Sequence, residues 1–362
     1  MPSSDSQVLS VRDLVVEFRT PRGPLRAVDG VSFDVFPGEV LGIVGESGSG
    51  KSVSMLAIMG LLPAGEARIS SGQALFRGRD LLKLSAKELK SLRGDDLAMV
   101  FQDPMTSLNP VRRIGTQIGE AIQLHRPALT RREVRKRVVD LLASVGVPNA
   151  AKRYGQYPHE FSGGLRQRAM IAMAIANEPE LLIADEPTTA LDVTIQAQVL
   201  KVLEDAREKA NASMILISHD LGLIAEVADR VTVMYGGRVM EAGGVHAMFE
   251  SPHHPYTVGL MNSLPRLDSA SETLYSIPGQ PPRLELKPDG CVFNPRCDLG
   301  RGRSVCSSEV PPLELVRPDY HSACHFAESV PEWSATLESV LTGAPPTAPA
   351  GRAMPRGGKD LD

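Results

Sequence analysis

Cysteine is missing from the first 290 residues of this 362-residue chain, and all four cysteines (Cys291, Cys297, Cys306 and Cys324) fall in one late segment. Disulfide-stapled scaffolds spread cysteine through a short chain to replace a missing core, so that class is excluded here. Long apolar runs are also missing. No stretch reaches the roughly 18 uncharged apolar residues of a membrane span. The N-terminus has no apolar signal-peptide core, so a cytoplasmic location is expected and any membrane role must come through a partner. Net charge is only -4, which leaves no overall footprint for nucleic acid. The basic run Arg126, Arg131, Arg132, Arg135, Lys136, Arg137 is read as the solvated face of a helix. No internal repeat is visible. What is present is ample core material, 42% hydrophobic residues, in a length that suggests two domains.

The most informative stretch is Gly45-Glu46-Ser47-Gly48-Ser49-Gly50-Lys51-Ser52, which fits G-x-x-x-x-G-K-[ST]. In such a loop backbone N–H groups cradle phosphates, Lys51 reaches the β/γ oxygens and Ser52 offers its hydroxyl to Mg²⁺. The apolar run Val40 to Val44 precedes it and a helical run, Val53 to Met59, follows. That context is required, because the anion must sit on a helix N-terminus. A second constellation ends the apolar run Leu181 to Ala184 in adjacent carboxylates, Asp185 and Glu186. Mg-nucleotide chemistry gives such a pair different jobs: Asp185 to hold the metal, Glu186 to orient or polarise the attacking water.

Around these, Val8 to Phe36 alternates apolar and polar residues and predicts antiparallel strands. Phe18, on the first of them, suits either stacking on an adenine ring or a plain place in the core. Strands are expected at 67–76 and 97–101 and a short helix at 85–93. Ile114, Ile118, Ile122 and then Val134, Val138, Leu141, Leu142 and Val145 give helical periodicity, so 111–160 reads as a helical insertion. The α/β pattern then resumes, with a helix from Ser162 through Asn177, a strand at 181–184, a helix at 194–210, a strand at 214–217, a helix at 221–228 and two short strands at 231–235 and 238–241. Strands alternating with helices imply an α/β fold with a mainly parallel sheet covered on both faces. From Ser251 the chain turns proline-rich and irregular and reads as a separate module, and 342–362 is Gly/Pro/Ala-rich and expected to be disordered.

Phe161-Ser162-Gly163-Gly164-Leu165-Arg166-Gln167-Arg168 resembles the signature segment of ATP-binding cassette (ABC) ATPases. Gln102 resembles their Q-loop, Thr189-Ala190-Leu191-Asp192 their D-loop and His219 their switch histidine. The motifs keep the family's order over about Val8 to Leu264. The resemblance implies a P-loop NTPase cassette over 1–264, combining a mainly parallel core, an antiparallel β subdomain and a helical subdomain at about 105–178. It implies ATP and Mg²⁺ as ligands: residues Gly45 to Gly50 with Lys51 on the phosphates; Ser52, Gln102 and Asp185 around Mg²⁺; Glu186 as catalytic base; His219 on the γ-phosphate; Phe18 on adenine. Ser162, Gly163 and Gly164, with Asp192, would serve the ATP held by the opposite subunit. Leu165 stands where many members have Gln, and Thr189 where Ser is commoner; neither removes a catalytic group.

The tail narrows the resemblance. His254-Pro255-Tyr256-Thr257, Ile277-Pro278-Gly279 and Gly290-Cys291-Val292-Phe293-Asn294-Pro295-Arg296-Cys297 are similar to the C-terminal extension of oligopeptide/dipeptide importer ATPase subunits, a subfamily that also contains nickel and other solute importers. Residues 265–341 would be that extension. Cysteine spacings of x5, x8 and x17 lack the paired C-x2-C of common zinc sites. Three readings stay open: a [4Fe–4S] cluster on Cys291, Cys297, Cys306 and Cys324, which the subfamily resemblance supports; Zn²⁺ with His321 or His325 replacing a cysteine; or four reduced structural thiols. The implied partners are two membrane permease subunits, a second homologous ATPase or a copy of this chain, and indirectly an extracytoplasmic solute-binding protein, with the chain peripheral on the cytoplasmic face. A soluble ABC ATPase acting on the ribosome or DNA is the rival; its usual tandem cassettes or long coiled-coil insertion are not seen.

Overall fold

A computed structural model of the chain describes residues 7–103, 107–188, 193–263, 276–282 and 287–342. The chain opens with the antiparallel pair β1 (Leu9–Thr20) and β2 (Gly23–Val35), then β3 (Val40–Val44) and α1 (Lys51–Ile58). Strands β4 (Ala67–Phe76) and β5 (Arg79–Asp80) complete a four-stranded antiparallel sheet in the order β2-β1-β4-β5. After α2 (Ala86–Leu92) and β6 (Leu97–Val100) the described residues give the helices α3 (Ile114–His125), α4 (Arg131–Ser144), the single turn α5 (Ala150–Arg153) and α6 (Gly163–Ala174). The alternation β7 (Leu181–Asp185), α7 (Val193–Ala210), β8 (Ser213–Ser218), α8 (Leu221–Val227), β9 (Arg230–Tyr235), β10 (Arg238–Gly244) follows, with α9 (Val245–Glu250) and α10 (Pro255–Asn262) behind it. The late segment adds α11 (Ser304–Ser308), β11 (Glu314–Arg317), β12 (Tyr320–Ser322) and α12 (Val330–Thr342).

The second sheet runs β11-β12-β10-β9-β3-β8-β7-β6. Its centre is parallel: β6 with β7, β7 with β8, β8 with β3 and β3 with β9. Every residue of β3, β7 and β8 is buried, so both faces need cover. The period-2 alternation of a strand divides them between two cores. Leu41, Ile43, Leu181, Ile183, Ile215 and Ile217 pack with the antiparallel sheet, α1 and α2. Val40, Val44, Leu182, Ala184, Met214 and Leu216 pack on the other face with the helices α3, α4, α6, α7 and α8. Phosphate loop and carboxylate pair are thus delivered by β3 and β7, the two parallel strands that flank β8, at the same edge of one sheet.

Two expectations are corrected. Helix α6 stops at Ala174 and not at Asn177, because the Asn177 amide is turned across to donate to the carbonyls of Gly94 (2.7 Å) and Ala121 (3.1 Å). The basic run is divided: Arg126 lies past the end of α3 and pairs with Asp95 at 2.9 Å, while α4 starts afresh from a Thr130–Glu133 capping box. The late segment is joined to the core sheet by strand pairing. β12 joins the core sheet antiparallel to β10, Ala323 N–H donates to the Met240 carbonyl (2.8 Å) and the Tyr320 hydroxyl to Glu241 (2.6 Å). Glu241 is fully buried at this seam, and burial pushes its carboxyl up to about 7. Pattern reading failed here because two strands of three and four residues are too short to show a period.

Candidate nucleotide-binding site

The loop between β3 and α1 is shaped by glycines. Gly45 has φ 151°, and a Cβ there would stand 2.1 Å from the Met234 carbonyl of β9. Gly50 has φ 99°, with the Ala27 carbonyl of β2 2.7 Å from the same hypothetical atom. Only glycine allows both the conformation and the approach. Lys51 is buried, and its ammonium donates to the carbonyls of Gly45 (2.7 Å) and Glu46 (3.0 Å) and to Ser49 Oγ (3.3 Å). Burial lowers its pKa, while the charges of Glu186, Asp185 and Glu46 work against that. Ser47 and Gly48 complete the loop, with Gly48 at φ 77°.

β7 brings the carboxylates to this loop. Ser52 Oγ donates to Asp185 Oδ1 at 2.8 Å, so two hard oxygen donors meet across helix and strand. Burial raises the Asp185 pKa, with the Glu186 charge adding to the rise and the Ser52 hydrogen bond opposing it. That is the response of a carboxylate which a divalent cation would relieve, and Ser52 with Asp185 fits Mg²⁺. Glu186 follows at φ 44°, a left-handed conformation rare outside glycine, with its N–H held by the Ile217 carbonyl of β8 (3.0 Å). Gln102, exposed after β6, donates Nε2–H to Glu186 Oε2 at 2.8 Å, and His219 Nδ1, after β8, lies 3.6 Å from the same oxygen. Gln102 is therefore turned to Glu186 and not to the Ser52–Asp185 pair.

Phe18 lies on β1 opposite Leu25 and Ala67, half-buried against the antiparallel core. Ser162, Gly163 and Gly164 lie on another element, at the start of α6, and the Ser162 hydroxyl makes no capping bond to its helix. Thr189 to Asp192 lie outside the described residues, as does 343–362. Sequence reasoning missed the second layer: the Glu46 N–H donates to the Tyr256 hydroxyl (2.8 Å) and the Glu46 carboxylate accepts from Arg296 (2.7 Å). Both partners come from stretches that had served only to mark a family.

The four cysteines are free thiols that line one small pocket, together with His254, Phe293, Gly300 and His325. Cys297 and Cys306 flank Gly300 closely enough that a Cβ there would stand 3.4 and 3.3 Å from their sulfurs. Yet among the described residues no three His, Cys, Asp or Glu side chains are placed to hold a metal ion. Neither a single zinc, with sulfurs about 2.3 Å from the metal, nor the expected [4Fe–4S] cluster is therefore supported by this arrangement of the thiols. His321 stands on β12, paired with Ala242 and Leu315, and His325 Nε2 lies 3.0 Å from the Glu309 carbonyl. Burial raises all four thiol pKa values, Cys297 to about 11 and Cys324 to about 12.

A glycine-shaped loop leading into a helix, with a buried lysine and a paired Asp-Glu beside it, defines a P-loop nucleoside triphosphatase. Residues 28–189 match the ABC transporter family and residues 240–306 match the oligopeptide/dipeptide transporter C-terminal region. The chain is 50% identical to the dipeptide transport ATP-binding protein DppD of Bacillus subtilis over 87% of its length and 93% of that protein. It is 50% identical to the oligopeptide transport ATP-binding protein OppD of Escherichia coli (strain K12) over 88% and 92%. Among solved structures, a dimeric ATP-binding cassette in a post-hydrolysis state bound to ADP and Pi matches 66% of this chain and 98% of its own, with TM-score 0.59 and 26% identity. The chain belongs to the ATP-binding subunits of ABC transporters, in the oligopeptide/dipeptide family. Among the described residues no helix is long and apolar enough to cross a membrane.

Proposed function

We propose that this chain is the ATP-hydrolysing subunit that powers import of di- and oligopeptides through a membrane permease, from the cytoplasmic face. The observation that carries this is the convergence of Ser52–Asp185 and Gln102–Glu186–His219 on one glycine-shaped loop. In this reading the loop amides and Lys51 hold the phosphates, Phe18 stacks on adenine, and the Glu186 carboxylate takes a proton from water as its oxygen attacks the γ-phosphorus. The β–γ bridging oxygen leaves with ADP and His219 steadies the γ-phosphate. Mg²⁺ held through Ser52 and Asp185 would neutralise charge on the β and γ oxygens.

The chain supplies one phosphate loop and one signature segment, so Ser162 and Gly164 of a second copy or of a homologous ATPase close the site. ATP binding draws the two subunits together and hydrolysis releases them. A groove of about 510 Å³ beside Gln102, lined by Met59, Leu61, Met99, Phe101, Met170 and Met173, would take a cytoplasmic helix of the permease. Methionine-rich apolar lining suits a helix partner that shifts during the cycle. Purification from membranes should bring down two permease subunits and a second ATPase, with ATP turnover that rises with subunit concentration and is stimulated by peptide. Recovery with ribosomes or DNA instead, or a full-rate monomer, would overturn the reading.

For the cysteine pocket, Cys291, Cys297, Cys306 and Cys324 would hold a [4Fe–4S] cluster, whose corners keep four sulfurs farther apart than a single ion does. The support is the donor set: four thiols on one pocket in a segment that has little core of its own. Anaerobically purified protein should then be brown, with iron and acid-labile sulfide near four of each per chain. Colourless, iron-free protein would leave the four as structural thiols.

A further inference from the structure

Glu46 is the only carboxylate in the Gly45–Ser52 loop, where it works against a polyphosphate ligand. Its side chain is met by Arg296 from the late segment. Arg296 Nη1 donates to Glu46 Oε2 at 2.7 Å and to the Tyr235 hydroxyl at 3.2 Å; Nε donates to the Pro278 carbonyl at 2.9 Å and Nη2 to that of Ile277 at 3.3 Å. Only 9% of Arg296 is exposed, while 24% of the Glu46 side chain stays open to solvent, so a buried guanidinium meets a half-buried carboxylate at the edge of the loop. The backbone of Glu46 is gripped as well, through its N–H bond to the Tyr256 hydroxyl. Tyr235, Tyr256 and Phe293 pack ring on ring behind it, centroids 4.6 to 5.3 Å apart. Arg296 ends a single 3-10 turn whose Asn294 N–H donates to the Cys291 carbonyl (2.9 Å), and the Cys297 N–H closes back on Asn294 (3.1 Å). Two of the four cysteines thus bracket the turn that aims the guanidinium.

We propose that Arg296 is a positioning residue for ATP: by pairing with Glu46 it neutralises the carboxylate of the phosphate loop and fixes the loop's first residues, so the C-terminal extension sets the nucleotide affinity of the cassette. This rests on the ATPase reading above. Removing the buried guanidinium leaves the half-buried carboxylate without its counter-charge. Here the charge left behind would be negative and, on a half-buried carboxylate beside the loop, would repel incoming phosphates with a strength that salt reduces. The effect therefore falls on binding and not on the chemical step.

The test is steady-state ATP hydrolysis by the full chain with its partner subunits. Arg296→Met should raise KM for MgATP about tenfold with kcat within about twofold of wild type, a gap that narrows at high salt. Glu46→Gln combined with Arg296→Met removes both charges and should bring KM back to within about threefold of wild type. A merely structural arginine would lower the melting temperature, leave KM of the folded fraction unchanged and gain nothing from the second substitution; that result overturns the proposal. A second measurement needs no variant. By reciprocity of coupled sites, MgATP should slow hydrogen exchange of the amides of Phe293, Asn294, Arg296 and Cys297 in the wild-type protein, and unchanged exchange there also overturns it. Wild-type chain that neither binds nor hydrolyses ATP would instead sink the ATPase reading itself.

Discussion

Glu186→Gln lowers ATP turnover by about 10²- to 10⁴-fold while nucleotide affinity stays equal or tightens. The carboxylate sits at the end of β7 in a left-handed backbone conformation, pinned through its N–H to Ile217, with the Gln102 amide and His219 aimed at the same oxygen. Glutamine keeps the size and the backbone, so the loop and the Ser52–Asp185 contact survive. It cannot take the proton of the attacking water. Removing a negative charge from beside the phosphates favours binding, so substrate should accumulate unhydrolysed and the closed dimer should persist. Rapid-quench turnover with equilibrium binding of a fluorescent nucleotide measures both halves, and unchanged turnover would remove Glu186 from the mechanism.

Gly45→Ala abolishes nucleotide binding and lowers stability by about 3 kcal/mol or more. The new methyl would stand 2.1 Å from the Met234 carbonyl, a backbone atom of the adjacent β9 that cannot rotate aside. At φ 151° an L side chain is strained even in open space. Relief comes only by moving the loop away from β9, which carries Glu46 off its Tyr256 and Arg296 contacts and takes the amides from the phosphates. Gly48→Ala is the internal control: φ is 77° but no atom lies within 4 Å of the added methyl, so its loss is smaller. Calorimetric titration with MgATP and thermal unfolding of the two variants give the comparison; equal behaviour would refute the steric account.

What could be read in the sequence was what is contiguous. The apolar runs gave β3, β7 and β8, and the loop and the Asp185–Glu186 pair follow them directly in the chain. Their meeting through Ser52 could be anticipated because parallel strands deliver their C-terminal ends to one edge. What escaped is pairing between distant segments. Nothing periodic marks Arg296 as the partner of Glu46, Tyr256 as the acceptor of its N–H, or Tyr320 as the partner of Glu241. The same holds for the late segment, where composition announced irregularity while two short strands were completing the core sheet. The cysteines sit between: their clustering in sequence pointed to a metal site, and the structure brings all four to one pocket without placing three of them to hold an ion.

The Arg296–Glu46 contact spans 250 residues. A ribosome adding roughly 5–20 residues per second makes the loop about 10–50 s before it makes the arginine. During that interval the nascent chain displays a complete phosphate motif whose acidic residue has no counter-charge from the tail. If Arg296 sets affinity as proposed, full nucleotide affinity comes only after the chain has been made past residue 296, and the stability lent by bound ATP grows at that point.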